Sequence, residues 1–120
     1  MTDFKVILPF PSSSLNPNGR NHYHALARAK KAYRADCRML TISERNKTGF
    51  DAEPRPKVVI TFNPPDYRPR DRDNMIAAFK SGQDGVADAI GVDDYHWITT
   101  YEFEEPVKRG RVSVRFVGGE

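Results

Sequence analysis

A chain of 120 residues is long enough for one hydrophobic core, so we expect residues 1–120 to form a single domain. Hydrophobic residues make up 38% of the chain, which favours a globular fold over disorder. Nineteen Lys and Arg residues against sixteen Asp and Glu residues leave a net charge of +3, too small by itself to identify a partner. The distribution is more informative, because the stretch from Arg20 to Lys47 holds only two acids. Such polarity suits a polyanionic partner.

Cysteine content and hydropathy bound the cellular setting. Cys37 is the single cysteine, which excludes an internal disulfide and a zinc site built from several thiolates. One free thiol fits a reducing cytoplasm, and we expect the protein there. No apolar run is long enough to span a bilayer, so we expect no membrane association.

The first half of the chain predicts a strand, a helix and a second strand. Residues 4–8 (FKVIL) form the first strand, and a proline-rich loop follows. Apolar residues at three- and four-residue steps predict a helix over residues 22–46, and they are His22, Leu26, Ala29, Tyr33, Cys37 and Leu40. Residues 57–62 (KVVITF) predict a strand with one buried face, formed by Val58, Ile60 and Phe62.

The second half predicts a helix and a hairpin. The helix begins at Asp73 or Asn74, both good cap residues, and ends at about residue 90 before Gly91. Its buried stripe is Met75, Phe79, Gly82, Val86 and Ile90. Residues 97–117 predict a hairpin that turns at VKRG and points Val112, Val114 and Phe116 inward. The order β-α-β-α-β-β predicts an α+β domain, with two helices packed on one face of a small mixed four-stranded sheet.

The segment RPRDRDNMIAAFK, residues 68–80, places Asp71 and Asp73 one residue apart among three arginines. If the backbone is extended here, both carboxylates leave the same side, with Cα atoms roughly 6–7 Å apart, and Arg72 points the other way. Two such carboxylates suit a hard cation such as Mg²⁺. The alternative is a turn residue followed by a helix cap, a common use of Asp-X-Asp before a helix.

A second acidic pair, Asp93 and Asp94, falls in a turn after the second helix. Lys80 follows Asp73 by seven residues on nearly the same helical stripe, and Asp84 lies one turn further. These side chains form either a surface ion-pair ladder or a metal site whose lysine stabilises charge on a phosphate. Together with the basic first helix, the two acidic pairs favour a metal-dependent nuclease.

Three stretches of the chain carry a family resemblance. They are LPFPSSSLNPNGRNHYHALARAKKAYR, RDRDNMIAAFKSGQDGVADAIGVDDYHW and a terminal hairpin with a basic turn. Over nearly its whole length the chain resembles the RusA-type Holliday-junction resolvases, especially their phage-like members. The specific part is Asp-X-Asp-Asn, with Asn74 as its asparagine, followed about twenty residues later by Asp-Asp.

The resemblance implies a homodimeric endonuclease that uses Mg²⁺, with Mn²⁺ as an alternative, and nicks four-way DNA junctions in symmetric pairs. It implies metal ligation by Asp71, Asp73 and Asp94. The interval to Asp-Asp is two residues longer than in the family pattern, so Asp93 is the alternative to Asp94. The family's lysine position is Ala77 here. Either Lys80 takes over the role of that lysine or the role is lost.

We expect the phosphates of branched double-stranded DNA to be bound by basic side chains of the first helix and the arginine-rich loop. These candidates are Arg20, Arg28, Lys31, Arg34, Arg38, Arg68, Arg70 and Arg72, with Asn74 beside them. Phe10, Tyr23 and Tyr67 lie near loops, where they either stack on unpaired bases or pack within the fold. Two other functions stay open: a less selective metal-dependent endonuclease on flaps or forks, and a junction-binding protein without catalysis.

Overall fold

The protein, as a computed structural model, is described over residues 3–16 and 23–118. The main elements are β1 (Phe4–Leu8), α1 (Tyr23–Thr48), β2 (Lys57–Asn63), α2 (Arg72–Ile90), β3 (Ile98–Phe103) and β4 (Arg111–Phe116). Short 3-10 turns form at Ser13–Leu15 and Asp94–His96. The predicted α+β class and element order are confirmed. Within the two described ranges, no helix has the length and apolar composition needed to cross a bilayer.

The four strands form one mixed sheet in the order β1-β4-β2-β3. Strand β4 is antiparallel to both of its neighbours, β1 and β2, whereas β2 and β3 run parallel. Strands β3 and β4 therefore do not pair, and the predicted hairpin over residues 97–117 is wrong. The parallel pair is instead closed by α2, which makes β2-α2-β3 a crossover unit.

The segment between β3 and β4 crosses the end of β2 instead of reversing onto β3. The Glu104 N–H donates to the carbonyl of Phe62 at 2.9 Å, and the Val107 N–H donates to the carbonyl of Pro64 at 2.9 Å. These bonds hold the segment against the chain that leaves β2. Only then does the predicted turn at residues 107–110 form, closed by a bond of 2.9 Å from the Gly110 N–H to the Val107 carbonyl.

One face of the sheet carries the core, because the registers of the strands bring their apolar positions into line. Val6 pairs with Val114, which pairs in turn with Ile60, and the same alignment holds along all three strands. Both helices pack on this face. The buried positions predicted for β2, β4 and α2 are confirmed: Val58, Ile60, Phe62, Val112, Val114, Phe116, Met75, Phe79, Gly82, Val86 and Ile90.

Helix α1 buries Tyr33, Cys37 and Thr41. The expected final member of its stripe, Leu40, is 42% exposed, so that prediction is wrong. A four-residue step from Cys37 stays closer to the buried face than a three-residue step, and the Thr41 hydroxyl satisfies itself by donating to the Cys37 carbonyl at 2.7 Å. The expected first member, His22, lies outside the described residues.

Two glycines of α2 let the helices approach closely. A Cβ atom on Gly85 would lie 2.3 Å from the backbone oxygen of Arg34 and 3.0 Å from the backbone nitrogen of Arg38. A Cβ atom on Gly82 would lie 2.5 Å from the ring of Tyr33. The crossing therefore has backbone against backbone at Gly85, and it brings the polar flank of α1 within reach of the acids of α2.

Candidate functional site

Asp71 is the N-cap of α2, and its side chain accepts the backbone N–H of Asp73 at 3.1 Å. The helix therefore begins at Arg72, earlier than predicted, and Asp73 already belongs to its first turn. The expectation that Asp71 and Asp73 share one side of an extended segment is wrong for this reason. Among the described residues, the Asp73 carboxylate has no hydrogen bond or ion pair.

The neighbouring arginines do not neutralise these two carboxylates. Arg70 and Arg68 both pair with Asp66, at 2.9 Å and 3.2 Å. Hydrogen bonds from Arg70 and then Arg68 hold the pKa of the Asp66 carboxyl well below its ordinary value. Arg72 places its guanidinium carbon 4.7 Å from the centre of the Phe103 ring.

Lys80 is the centre of a polar network on the exposed flank of α2. Its Nζ atom lies 2.6 Å from Asp84 Oδ1 and 2.5 Å from Asp94 Oδ2. The same oxygen of Asp94 accepts a hydrogen bond from Gln83 Nε2 at 2.9 Å. Tyr101 extends the network from β3 by donating its hydroxyl to Gln83 Oε1 at 3.3 Å. The 3-10 turn that follows α2 thus folds back onto the middle of the helix.

Burial and pairing act in opposite directions on the ionisable groups of this network. The Asp94 side chain is 14% exposed, and its burial disfavours the charged form. The hydrogen bond and charge of Lys80 outweigh that effect, so the pKa of Asp94 lies below its ordinary value. Burial likewise works against the Lys80 ammonium, but Asp84 and Asp94 together raise the pKa of Lys80. Both groups are therefore charged at neutral pH.

Asp93 and Asp94 have different surroundings. Asp93 caps the 3-10 turn by accepting the backbone N–H of Tyr95 at 3.1 Å, whereas Asp94 turns inward to Lys80. Over residues 3–16 and 23–118, no three His, Cys, Asp or Glu side chains are grouped so that they could hold a metal ion. The ligand set of Asp71, Asp73 and Asp94 therefore stays a prediction.

The stripe of α2 that begins at Asp73 has an open position in its middle. Asp73 and Lys80 are seven residues apart, which is about 20° around the helix axis and about 10 Å along it. Ala77 lies between them and is exposed, so only a methyl group occupies this part of the stripe. The small side chain of Ala77 therefore leaves space for a hydrated cation or a phosphate between Asp73 and the Lys80–Asp94 pair.

Gln83 is the part of this site that the sequence analysis missed. It is 6% exposed and joins Asp94 to Tyr101. Helical spacing offered a signal, because Gln83 follows the buried Phe79 by four residues and so lies on the inner face of α2. A polar residue at a buried helical position needs hydrogen-bond partners.

The basic candidates on α1 divide into two groups. Arg28, Lys31 and Arg38 are exposed, and none has an ion pair among the described residues. Arg34 instead binds Asp88 through two hydrogen bonds, of 2.8 and 2.9 Å. Arg20 lies outside the described residues.

The Arg34–Asp88 pair gives a testable dependence of stability on pH. The bonds from Arg34 lower the pKa of Asp88, so its stabilisation is present above the unfolded pKa of about 3.9 and is lost as the pH falls through the folded pKa. We expect Asp88→Asn to lower the free energy of unfolding by about 0.5 kcal/mol at neutral pH, because both side chains are partly exposed. Urea unfolding should show this difference shrinking below about pH 4.

The matched control for this prediction is Arg34→Lys. Lysine keeps the positive charge but cannot make the two parallel bonds of a guanidinium. We expect Arg34→Lys to lower the free energy of unfolding by less than Asp88→Asn does, and this loss should also shrink below about pH 4. A loss of stability that stays constant down to about pH 3 would contradict the assignment.

A cavity of about 600 Å³ opens at the start of α2, beside Asp71 and Asn74. One wall is the basic turn between β3 and β4, where Arg109 has a φ of 68°. That left-handed conformation costs a residue other than glycine about 1 kcal/mol or more. The turn is packed tightly, since a Cβ atom on Gly110 would lie 2.8 Å from Phe10 Cβ and 3.0 Å from Pro65.

No family model matches this chain. The chain is similar to an uncharacterized protein of Xylella fastidiosa, with 33% identity over 119 residues. The alignment covers 94% of this chain and 75% of that protein.

Proposed function

We propose that this chain is a metal-dependent endonuclease whose substrate is a four-way DNA junction. The chain belongs to the same protein family as the uncharacterized protein of Xylella fastidiosa. The observation that carries the proposal is the acidic stripe of α2, which is the helix face formed by Asp73, Ala77, Lys80 and Asp84. Asp73 has no partner among the described residues, Ala77 leaves space beside it, and Lys80 holds the inward-facing Asp94 one turn further. Carboxylates that can bind a metal ion, next to a lysine, are the groups that metal-dependent phosphodiester hydrolysis needs.

The chemistry of the donor set suits a hard cation, although the described residues do not group these carboxylates around one point. Asp71, Asp73 and Asp94 would hold Mg²⁺ or Mn²⁺ through carboxylate oxygens, the ligands that both ions prefer. When bound, the ion would polarise the scissile phosphate and lower the pKa of a bound water. Asp71 uses one side-chain oxygen for its cap bond, while Asp73 has no partner among the described residues.

The other side chains of the network have positioning and electrostatic roles. Gln83 and Tyr101 fix the orientation of Asp94, as the outer partners of a ligating carboxylate do. Lys80 is 55% exposed, so its ammonium can meet a phosphate while it stays next to Asp94. In that position it stabilises the negative charge that builds on the phosphate during cleavage.

DNA binding would come mainly from phosphate contacts. Arg28, Lys31 and Arg38 are exposed on α1 without ion pairs to described residues, so their charges are available. Contacts of this kind release counterions, and affinity should fall steeply as salt rises. They carry little sequence information, which suits recognition of a shape. Two copies related by a two-fold axis would present two sites to the two strands of a junction.

Nicking of a synthetic four-way junction, with and without Mg²⁺, tests the proposal. We expect paired nicks that require the metal and slower cleavage of flap and linear duplexes of the same length. Asp73→Asn should remove nicking, because it removes a proposed metal ligand without removing a hydrogen bond or ion pair to any residue that the structure describes.

The outcomes separate the alternatives. Equal rates on all three substrates would favour a less selective endonuclease on flaps or forks. Junction binding without nicking at any metal concentration would favour a binding protein, an alternative supported by Ala77, which stands where the RusA-type pattern has a lysine. Unchanged nicking by Asp73→Asn would show that the metal is held elsewhere.

A further inference from the structure

The cavity at the start of α2 has an apolar floor and a cationic rim. Phe10, Met75 and Pro65 supply the floor. Three arginines, Arg68, Arg70 and Arg109, supply the rim. A volume of about 600 Å³ falls within the range of cavities that hold small molecules, whereas a duplex is too wide to enter.

The floor and the rim are joined by an ordered contact. The guanidinium carbon of Arg70 lies 5.7 Å from the centre of the Phe10 ring, a cation–π distance. Arg70 is only 19% exposed and is tied to Asp66 at 2.9 Å, so this arrangement is fixed before any ligand binds. A flat apolar group that enters the cavity therefore meets an aromatic side chain whose position is already set.

The rim keeps an excess of positive charge. Arg68 and Arg70 share the single charge of Asp66, and Asp71 adds one more carboxylate to the lining, so three arginines face two acids. Arg109 is exposed and has no hydrogen bond or ion pair with any described residue. It lines the cavity, and its left-handed backbone lies next to the packed Gly110. The ligand that fits is flat and apolar at one end and anionic at the other.

We propose that this cavity captures one unpaired nucleotide of a DNA strand. The base packs against Phe10 and Met75, and its phosphate binds Arg109 and Arg68. This inference takes DNA as the substrate from the proposed function. It adds a cause for branch preference, because removing a base from its stack costs least where the base is already unpaired. It also puts the captured nucleotide next to Asp71, on the border of the acidic stripe.

The test measures binding of three labelled duplexes by fluorescence anisotropy in EDTA. One has a single-nucleotide bulge, one has an abasic residue at the same bulge, and one is fully paired. We expect the bulge with a base to bind about fivefold or more tighter than the abasic bulge, the gain that stacking one base provides. Equal affinity for these two duplexes would overturn the proposal.

Matched variants locate the effect. Arg109→Gln and Lys108→Gln remove the same charge from the same turn, but only Arg109 lines the cavity. We expect Arg109→Gln to weaken binding of the bulge selectively, while Lys108→Gln weakens all three duplexes equally. Phe10→Leu keeps the apolar volume and loses the aromatic face, so it should abolish the difference between base and abasic residue. Equal losses from the two charge variants would contradict the assignment.

The binding assay does not depend on cleavage, so the two proposals can fail separately. Preference for the bulge in a protein that never nicks would uphold the cavity and reject the endonuclease. Junction nicking without any preference for the bulge would do the reverse. Binding of free dAMP with no preference between the three duplexes would make the cavity a site for free nucleotides and overturn strand capture.

Discussion

Replacing Asp94 with asparagine is expected to slow Mg²⁺-dependent nicking of a four-way junction about 100-fold or more. Asparagine is nearly the same size and can still accept the hydrogen bonds of Lys80 and Gln83, so the turn after α2 should keep its place. What disappears is the negative charge that the proposed metal site needs. Junction affinity in EDTA should change little, because phosphate contacts provide it.

The neighbouring residue supplies the control. Asp93→Asn removes one negative charge from the same turn, but asparagine still caps the turn by accepting the N–H of Tyr95. We expect nicking by this variant to stay within about tenfold of wild type, against the far larger loss at Asp94. A larger loss of nicking for Asp93→Asn than for Asp94→Asn would assign the metal to Asp93. That alternative is open because the interval between Asp-X-Asp-Asn and Asp-Asp is two residues longer than in the RusA-type pattern. Melting temperatures of both variants would show that the fold is intact.

The interior of the fold could be predicted because burial depends on local periodicity. All five stripe residues predicted for α2 are buried, among them Met75 at its start and Ile90 at its end. The first residue of α2 was harder to predict. Asp71, Asp73 and Asn74 are all good caps, and a side-chain pattern does not show which of them accepts a backbone N–H.

The pairing of the last two strands could not be predicted from their separation alone. Two strands joined by a short turn-rich segment commonly form a hairpin. Here β2 is buried at Val58, Ile60 and Phe62, which makes it a central strand that needs a neighbour on each side. Helix α2 supplies the crossover that delivers β3 to one side of β2, and β4 takes the other. Long-range burial overrode the local hairpin signal.

The polar network depends on the direction of the chain after α2. The spacing of Lys80 and Asp84 by four residues predicts their contact, and the structure has it at 2.6 Å. Asp94 reaches the same lysine only because Gly91, with a φ of 85°, ends the helix and reverses the chain. Spacing in the sequence does not encode that angle, so it could not place Asp94 beside Lys80.

Gly85→Ala is expected to lower the free energy of unfolding by about 2 kcal/mol or more. The added methyl would lie 2.3 Å from the backbone oxygen of Arg34, and backbone cannot rotate out of its way as a side chain can. Alanine favours a helix over glycine by about 1 kcal/mol, so the clash has to outweigh that gain. Helix α1 must shift as a body, which also pulls Arg34 away from Asp88. Urea unfolding monitored by circular dichroism measures the loss.

Gly82→Ala is the matched comparison, because it has the same chemistry in the same helix one turn earlier. Its methyl would meet the rings of Tyr33 and Phe79 and the sulfur of Cys37, all side-chain atoms that can move by small rotations. We therefore expect a smaller loss than at Gly85, although alanine has the same helix propensity at both positions. Equal losses would mean that burial alone sets the cost, and a more stable Gly85→Ala would rule out the close crossing. A larger loss of stability for Gly85→Ala than for Gly82→Ala would thus show that backbone contact fixes how α1 lies against the acids of α2.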